Sequence, residues 1–446
     1  MDRPIHRVVD LTTPESQLLL NMGPTEARRV LLGDAPGGAD AIEGSFALVA
    51  REGERVVLAR SLDRPLRYFL AKEPGGPMLV VAERIDAIGA FLSTEGYAEQ
   101  FHPSYTRMVP AHHSTTIRLV GCPDPNPVYE RFVAPAAERL PADLDVIGRQ
   151  YIGALRREVE RWLRALPSAA PIGVLFSGGI DSGAVLLTLY RQLLALGQSP
   201  ARLKAFTLSV DGAGDDAAQA RAFLRRLDLE ILGETIDVPA DRLQPLAAVE
   251  VIEDYKPRDV ECATVTLALV EEIRRRYPDW KYLADGDGGD ENLKDYPIEE
   301  NRELTIVSVV NNPLLYQEGW GVDRIKHSLT YSGGQSRGCV RTFAPLRKYG
   351  FVGFSPFTRP AVVRMATAIP FAELTRGSHE ALYALKGEVV RRGIQAVWGV
   401  DMPVFDKRRF QDGAAAPSVV ARRFATDPDT YREHFLALHR SVARSA

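Results

Sequence analysis

Val174-Leu175-Phe176-Ser177-Gly178-Gly179-Ile180-Asp181-Ser182 is the stretch that decides the fold. It reads as a buried strand, Ile172–Phe176, running through Ser-Gly-Gly into a helix, Ser182–Leu196. Two adjacent glycines let the backbone turn tightly and bring N–H groups to face one anion. The helix starting at Asp181–Ser182 points its positive end at the same place. Ser177 and Ser182 add hydroxyl donors. Asp181 would repel a bare phosphate, so a carboxylate in this loop implies a bridging divalent cation, most simply Mg²⁺. No GxxxxGK[ST] is present, so this is not a Walker A loop. The plain alternative is a glycine turn between a core strand and a helix.

A second loop weighs against that alternative. The strand Trp280–Ala284 runs into Asp285-Gly286-Asp287-Gly288-Gly289-Asp290-Glu291. So many acids at the end of a buried strand are costly unless something positive binds there. An EF-hand loop would place its last Glu about twelve positions along, between flanking helices, and neither feature occurs. Two acid-bearing glycine loops at strand ends of one sheet point to a shared cation–pyrophosphate site.

Around these loops, strands and helices alternate. Leu203–Val210 reads as a strand, Ala217–Leu227 as a helix, Leu229–Asp237 as a strand and Cys262–Tyr277 as a helix closed by Pro278. Parallel strands need crossovers, so the expectation is a doubly wound parallel α/β sheet with ligands at the strands' carboxyl ends. A helix over Ile147–Leu166 precedes it, and the remainder from about 295 to 446 reads as mainly helical. Residues 1–133 read as an antiparallel, mostly-β domain with strands at Ser45–Ala50, Arg55–Ala59, Met78–Ala82 and Ser114–Leu119. Its longest expected helix is Glu83–Leu92. The Ala/Pro-rich stretch 134–146 marks a boundary, giving domains of 1–140 and 141–446.

Composition narrows the function. The 446 residues carry 55 Lys+Arg against 58 Asp+Glu, a formal net charge of −3, which leaves no electrostatic footprint for nucleic acid. Cys122, Cys262 and Cys339 are too few and scattered for a zinc ribbon or disulfide framework, and fit a reducing compartment. No signal-peptide pattern and no apolar run of about 20 residues is present, so a cytoplasmic enzyme without membrane partners is expected.

The two loops resemble the synthetase domain of the asparagine synthetase superfamily, which includes β-lactam and carbapenam synthetases. Ser177–Ser182 matches its SGGxDS loop and Gly286–Glu291 its GxGxDE-type loop. Ile252-Glu253-Asp254-Tyr255, Ser355-Pro356-Phe357 with Ala368-Ile369-Pro370, Lys386 in a K-x-x-V-V-R context, and Lys407 in K-x-x-F-x-D-G follow in family order. The resemblance covers roughly 150–415. It implies an ATP pyrophosphatase-like fold that adenylates a substrate carboxylate and lets a nitrogen nucleophile displace AMP. It implies that Ser177, Gly178, Gly179 and Ser182 cradle pyrophosphate beside Gly286, and that Asp181 and Asp290 hold Mg²⁺. The backbone near Leu175 and Leu208 would face adenine. Lys407, with Lys386 ahead of it, would neutralise phosphate charge. Gly44–Ala47, Leu58-Ala59-Arg60, Pro65–Phe69 and Val109-Pro110-Ala111 resemble the N-terminal nucleophile-type glutaminase domain of class II amidotransferases. With Asp2 after Met1, N-terminal thiolate chemistry is not expected, and the domain reads as a degenerate glutaminase scaffold.

Without glutaminase ammonia, the nucleophile is an amine of the substrate, a second substrate's amine or free ammonia. Asp287 could serve as general base if burial raises its pKa, or instead as a partner of a metal ligand. Phe351, Phe354 and Phe357 fit either a less polar acceptor site or core packing. Tyr331–Gly338 could line the acceptor site, and Glu318 or Asp323 could pair with a base. His112–His113 reads as a surface pair. Cys262 is placed near the nucleotide, with an inert thiol as the ordinary reading. The expected partners are a small-molecule carboxylate and amine, with a homodimer as the assembly to test.

Overall fold

The computed structural model describes residues 6–13, 17–34, 38–118, 127–300, 302, 304–318, 339–405, 413–424, 427 and 429–442. The N-terminal strands are β1 (Arg7–Asp10), β2 (Leu18–Leu19), β3 (Gly44–Ser45), β4 (Ala47–Glu52), β5 (Arg55–Arg60), β6 (Arg67–Glu73), β7 (Gly76–Ala82), β8 (Arg107–Met108), β9 (His113–Arg118) and β10 (Val128–Arg131). They form two four-stranded sheets, β1-β7-β6-β8 and β10-β9-β5-β4, and a β2–β3 pair. Period-two alternation explains the layers. In β4 and β5, Ala47, Val49, Val56 and Leu58 meet Leu79, Val81 and Tyr68 of the other sheet, while Leu48, Ala50, Val57 and Ala59 face helix α1 (Pro24–Leu32). In β7, Met78, Val80 and Ala82 turn outward onto helix α2 (Ile85–Thr94). The layers therefore run helix, sheet, sheet, helix. One expectation needs correction: β1 pairs parallel to β7, so the domain is not purely antiparallel. The two strands lie far apart in sequence, which leaves room for the crossover that parallel pairing requires.

The second half follows the strand–helix alternation. Helix α3 (Leu144–Ala165) leads into β11 (Ile172–Leu175), α4 (Ile180–Ala195), β12 (Leu203–Val210), α5 (Asp216–Arg225) and β13 (Gly233–Val238). Then come α6 (Pro245–Ile252), α7 (Pro257–Arg276), β14 (Tyr282–Ala284), α8 (Gly289–Leu293) and β15 (Val352–Phe354). The third strand starts later than expected, because Leu229 and Leu232 enter the core through a 3₁₀ turn. All neighbours in the sheet β13-β12-β11-β14-β15 run parallel. Ile172, Val174, Ala205 and Ala284 face α3, α4 and α5, while Phe206, Leu208, Ile236 and Leu283 face α7. The sheet is doubly wound. Its chain starts at β11, winds out to β13 and returns at β14, so β11 and β14 flank the switch point where a crevice opens.

Two features join the halves. One hydrophobic core contains Phe69, Val80, Ile85 and Phe101 from the first half and Val249, Ile252, Val260 and Phe435 from the second. Glu253 accepts the N–H groups of Ile85 and Asp86, both at 2.8 Å, and so satisfies the first turn of α2. The Ile252–Tyr255 segment thus works as a joint. Among the described residues, no helix is long and apolar enough to cross a membrane.

Candidate active site

Strand β11 ends at Leu175, and the chain turns through Ser177-Gly178-Gly179 into α4. The Gly179 N–H donates to Ser177 Oγ at 3.3 Å, and the Ser177 and Ser182 hydroxyls lie 3.3 Å apart. The loop is closed on itself, with the N-terminus of a 16-residue helix behind it. Strand β14 ends one position over, and Asp285–Gly288 turn into α8. Both loops open on a cleft of about 750 Å³ lined by Leu175, Ser177, Gly179, Asp181, Ser182, Gly286, Asp287 and Asp290. Their approach is too close for side chains: a Cβ on Gly289 would collide with the Asp181 carboxylate.

Lys386 arrives from the other side on the helix His379–Trp398. That helix buries Leu382, Leu385, Val389, Val390 and Ile394. It crosses α3 so tightly that a Cβ on Gly148 would sit 2.6 Å from the Val389 carbonyl oxygen. The crossing aims Lys386 into the cleft, where its Nζ donates to Asp181 Oδ2 at 2.5 Å and to Asp290 Oδ1, with Asp295 Oδ2 at 3.4 Å. The ammonium is 4% exposed. Burial works against its charge, but Asp181, Asp290 and Asp295 outweigh burial and raise its pKa well above the ordinary lysine value. The first two aspartates, 109 residues apart in sequence, thus converge on one positive group.

The donor set fits Mg²⁺ carried on a nucleotide. Mg²⁺ takes one or two carboxylates and completes its shell with phosphate oxygens and water. Among the described residues, no group of three or more His, Cys, Asp or Glu side chains forms a self-sufficient metal cage. Asp181 and Asp290 are two hard oxygen donors already drawn to a cation, and Ser177, Gly179 and Ser182 lie beside them at a helix N-terminus.

The floor of the cleft holds a second cluster. The Asp287 N–H donates to Asp285 Oδ1 at 3.0 Å, Ser355 Oγ donates to Asp285 Oδ2 at 2.9 Å, and Thr342 Oγ1 donates to Asp287 Oδ2 at 2.5 Å. Burial, with Asp287 alongside, pushes the Asp285 carboxyl well above the usual range. Burial likewise raises Asp287 to about 6, with Glu291 and Asp290 adding to it and Arg341 and Thr342 opposing. Arg341 Nη1 donates to Glu291 Oε1 at 3.1 Å, its Nε lies 3.5 Å from Asp259 Oδ1, and Tyr296 donates to Glu291 Oε1 at 2.7 Å.

Several sequence expectations need correction. The Leu208 side chain is 1% exposed in the core against α7, which leaves only its backbone for the nucleotide. Gly178, at φ 75°, backs onto the Ala220 backbone and forms the turn behind the wall. Phe351, Phe354 and Phe357 are core residues: Phe354 stacks on Trp162 at 4.3 Å, Phe357 on Tyr151 at 5.8 Å, and Phe351 lies under Arg274. His112 is buried at 1% exposure, and burial lowers its pKa to about 3, so it is no surface residue. Cys262 lines the cleft, but burial pushes its thiol up to about 12, which keeps it protonated. Lys407, Tyr331–Gly338 and Asp323 lie outside the described residues, as does the side chain of Glu318. The flanks of the Lys407 segment do reach this site: Phe405 lines the cleft, and Gly413 packs against Asp216, another cleft residue.

Arg341, Thr342, Asp295 and Tyr296 were not anticipated. Arg341 and Thr342 sit on a π-helical turn, Cys339–Phe343, which has no local sequence signature. Asp295, five residues past Asp290, could have been found as one more acid near the loop.

Residues 151–322 match the family model described as asparagine synthase. The matched span holds both loops and supports the asparagine synthetase superfamily, a class of ATP-dependent ligases that form amide bonds. No curated protein matches the chain.

Proposed function

We propose that the chain is an ATP- and Mg²⁺-dependent synthetase that joins a carboxylate to an amine through an acyl-adenylate, in the manner of the β-lactam synthetases. The observation that carries this reading is the convergence of Asp181 and Asp290, from two loops at the sheet's switch point, on one cation. Mg²⁺ on these aspartates would neutralise phosphate charge and polarise the bond that breaks. The substrate carboxylate attacks the α-phosphorus, and the α–β bridging bond breaks to release pyrophosphate. The amine nitrogen then attacks the acyl carbon, and AMP leaves with the electrons of the carbon–oxygen bond. Ser177, Gly179 and Ser182 hold the departing pyrophosphate, with Gly178 shaping their turn. Lys386 moves from the aspartates to the phosphates as the nucleotide enters, and Lys407 adds positive charge during both steps. Asp287, poised near neutrality, takes the ammonium proton.

Closure of an amino-acid derivative onto its own amine is favoured, because an attached amine replaces captured ammonia with effective concentration. The alternatives are an intermolecular ligase, a peptide macrocyclase or an amidotransferase using free ammonia and, from another class, a non-catalytic nucleotide-binding regulator. The N-terminal domain is a degenerate glutaminase kept as scaffold. The enzyme is cytoplasmic and takes small molecules, without nucleic acid or membrane.

Incubation of the protein with Mg·ATP and a panel of amino acids and their N-modified derivatives tests the reading. Pyrophosphate and AMP are the expected products. ADP and inorganic phosphate would overturn adenylation, and activity driven by ammonium salts alone would favour the amidotransferase.

A further inference from the structure

A synthetase of this kind must bring an anion, the substrate carboxylate, into a cleft walled by carboxylates. Asp259, Asp285, Asp287, Glu291, Asp295 and Glu300 all line the cleft. Like charges there repel an anionic substrate unless a fixed cation receives it. Among the described lining residues, the cations are Lys386, Arg258 and Arg341. Lys386 is taken up by the aspartates of the nucleotide site. Arg258 stands at the rim, 60% exposed, with Glu300 at 3.2 Å.

Arg341 is different. Its side chain is 27% exposed, and it is clamped from behind by Glu291 at 3.1 Å and Asp259 at 3.5 Å. Those contacts use Nη1 and Nε. Nη2 donates to no described residue. A guanidinium held on two of its nitrogens keeps its remaining N–H groups in a fixed direction, which suits a planar carboxylate. The next residue, Thr342, holds Asp287 through Oδ2, so the turn that carries the anion-binding group also fixes the amine's acceptor on the neighbouring loop.

We propose that Arg341 is the carboxylate-docking residue of the acceptor subsite, receiving the substrate's carboxylate on Nη2 beside Asp287. It rests on the synthetase reading but is tested without turnover. The probe is trifluoroacetate, the smallest carboxylate with a fluorine signal, titrated into protein saturated with Mg²⁺ and the non-hydrolysable nucleotide α,β-methylene-ATP. The expected result is concentration-dependent broadening of the fluorine line with the wild-type chain. Affinity should fall at least tenfold in Arg341→Met and several-fold in Arg341→Lys, the usual scale for losing a hydrogen bond to a charged group. Nucleotide affinity should stay within twofold in both. Arg341→Lys keeps a cation between Glu291 and Asp259, so it guards against a variant that merely fails to fold, and its melting temperature is recorded alongside. The proposal is overturned if trifluoroacetate leaves the wild-type line unchanged, or if Arg341→Lys binds it as the wild type does. Failure of pyrophosphate release with normal trifluoroacetate binding would instead count against adenylation.

Discussion

Asp63–Arg359 and Asp181–Lys386–Asp290 use the same chemistry in opposite surroundings. Asp63 and Arg359 join the two halves at 2.6 Å, with side chains 6% and 3% exposed. Ser61 donates to the remaining Asp63 oxygen at 2.6 Å, and Arg359 also reaches the Gly44 carbonyl at 2.7 Å. Arg359 borders a space of only about 20 Å³. In the second group Lys386 is just as buried, but Asp181 and Asp290 keep 20% and 29% of their surface and open on about 750 Å³. A sealed pair orders a joint. A cation held by acids that remain partly in solvent can be exchanged for another cation. The lesson is that burial of the acids, rather than presence of the pair, separates structure from chemistry.

Four substitutions test this contrast. Asp181→Asn should lower pyrophosphate release about 10³-fold while leaving the melting temperature within a few degrees, the scale for removing a preorganised electrostatic group. An equal loss of stability and activity would make the open cluster a joint as well. Asp63→Ala should do the reverse, costing about 3–5 kcal/mol in urea unfolding because Arg359 is left buried without its carboxylate. The KM for ATP of the folded fraction should be unchanged. Asp287→Asn should slow AMP release about 10²-fold yet preserve pyrophosphate exchange, since the base acts in the second step. Because the carboxyl titrates at about 6, wild-type turnover should fall as pH drops through 6, and the variant should lack that limb.

The smallest effect concerns Lys294, which is 1% exposed between the rings of Tyr316 and Phe371 and donates to the Asn312 carbonyl at 2.7 Å. Burial lowers its pKa to about 7. Below pH 7 the group is charged folded and unfolded, and its burial cost is fully felt. Between 7 and about 10.4 only the unfolded chain holds the proton, so stability should rise with pH. Lys294→Met should therefore be more stable than wild type at pH 6, by about 1–2 kcal/mol after the lost hydrogen bond. The gap should shrink toward pH 10 in denaturant titrations.

Much of the α/β half was legible because its strands and helices are long and their apolar periods clean. Leu203–Val210 is a strand at both ends as expected. Glycines mark the two loops because the Asp181 carboxylate leaves no space for a Cβ at Gly289. Other elements were harder to read. Leu18–Leu19 and Arg107–Met108 are too short to show alternation. The three phenylalanines near 354 were ambiguous because an aromatic side chain looks the same in a core and in a pocket. Arg341 carries no local signal, since its partners Asp259 and Glu291 lie 82 and 50 residues away.

The amino-acid order alone determined the winding of the sheet and the two acid-bearing loops, because periodicity and close backbone approach are written into neighbouring residues. Only the tertiary structure decided that Lys386 sits between the two aspartates, that Arg341 lines the same cleft, and that His112 is buried. Each depends on where separate helices and sheets cross, and a crossing is set by packing over the whole molecule.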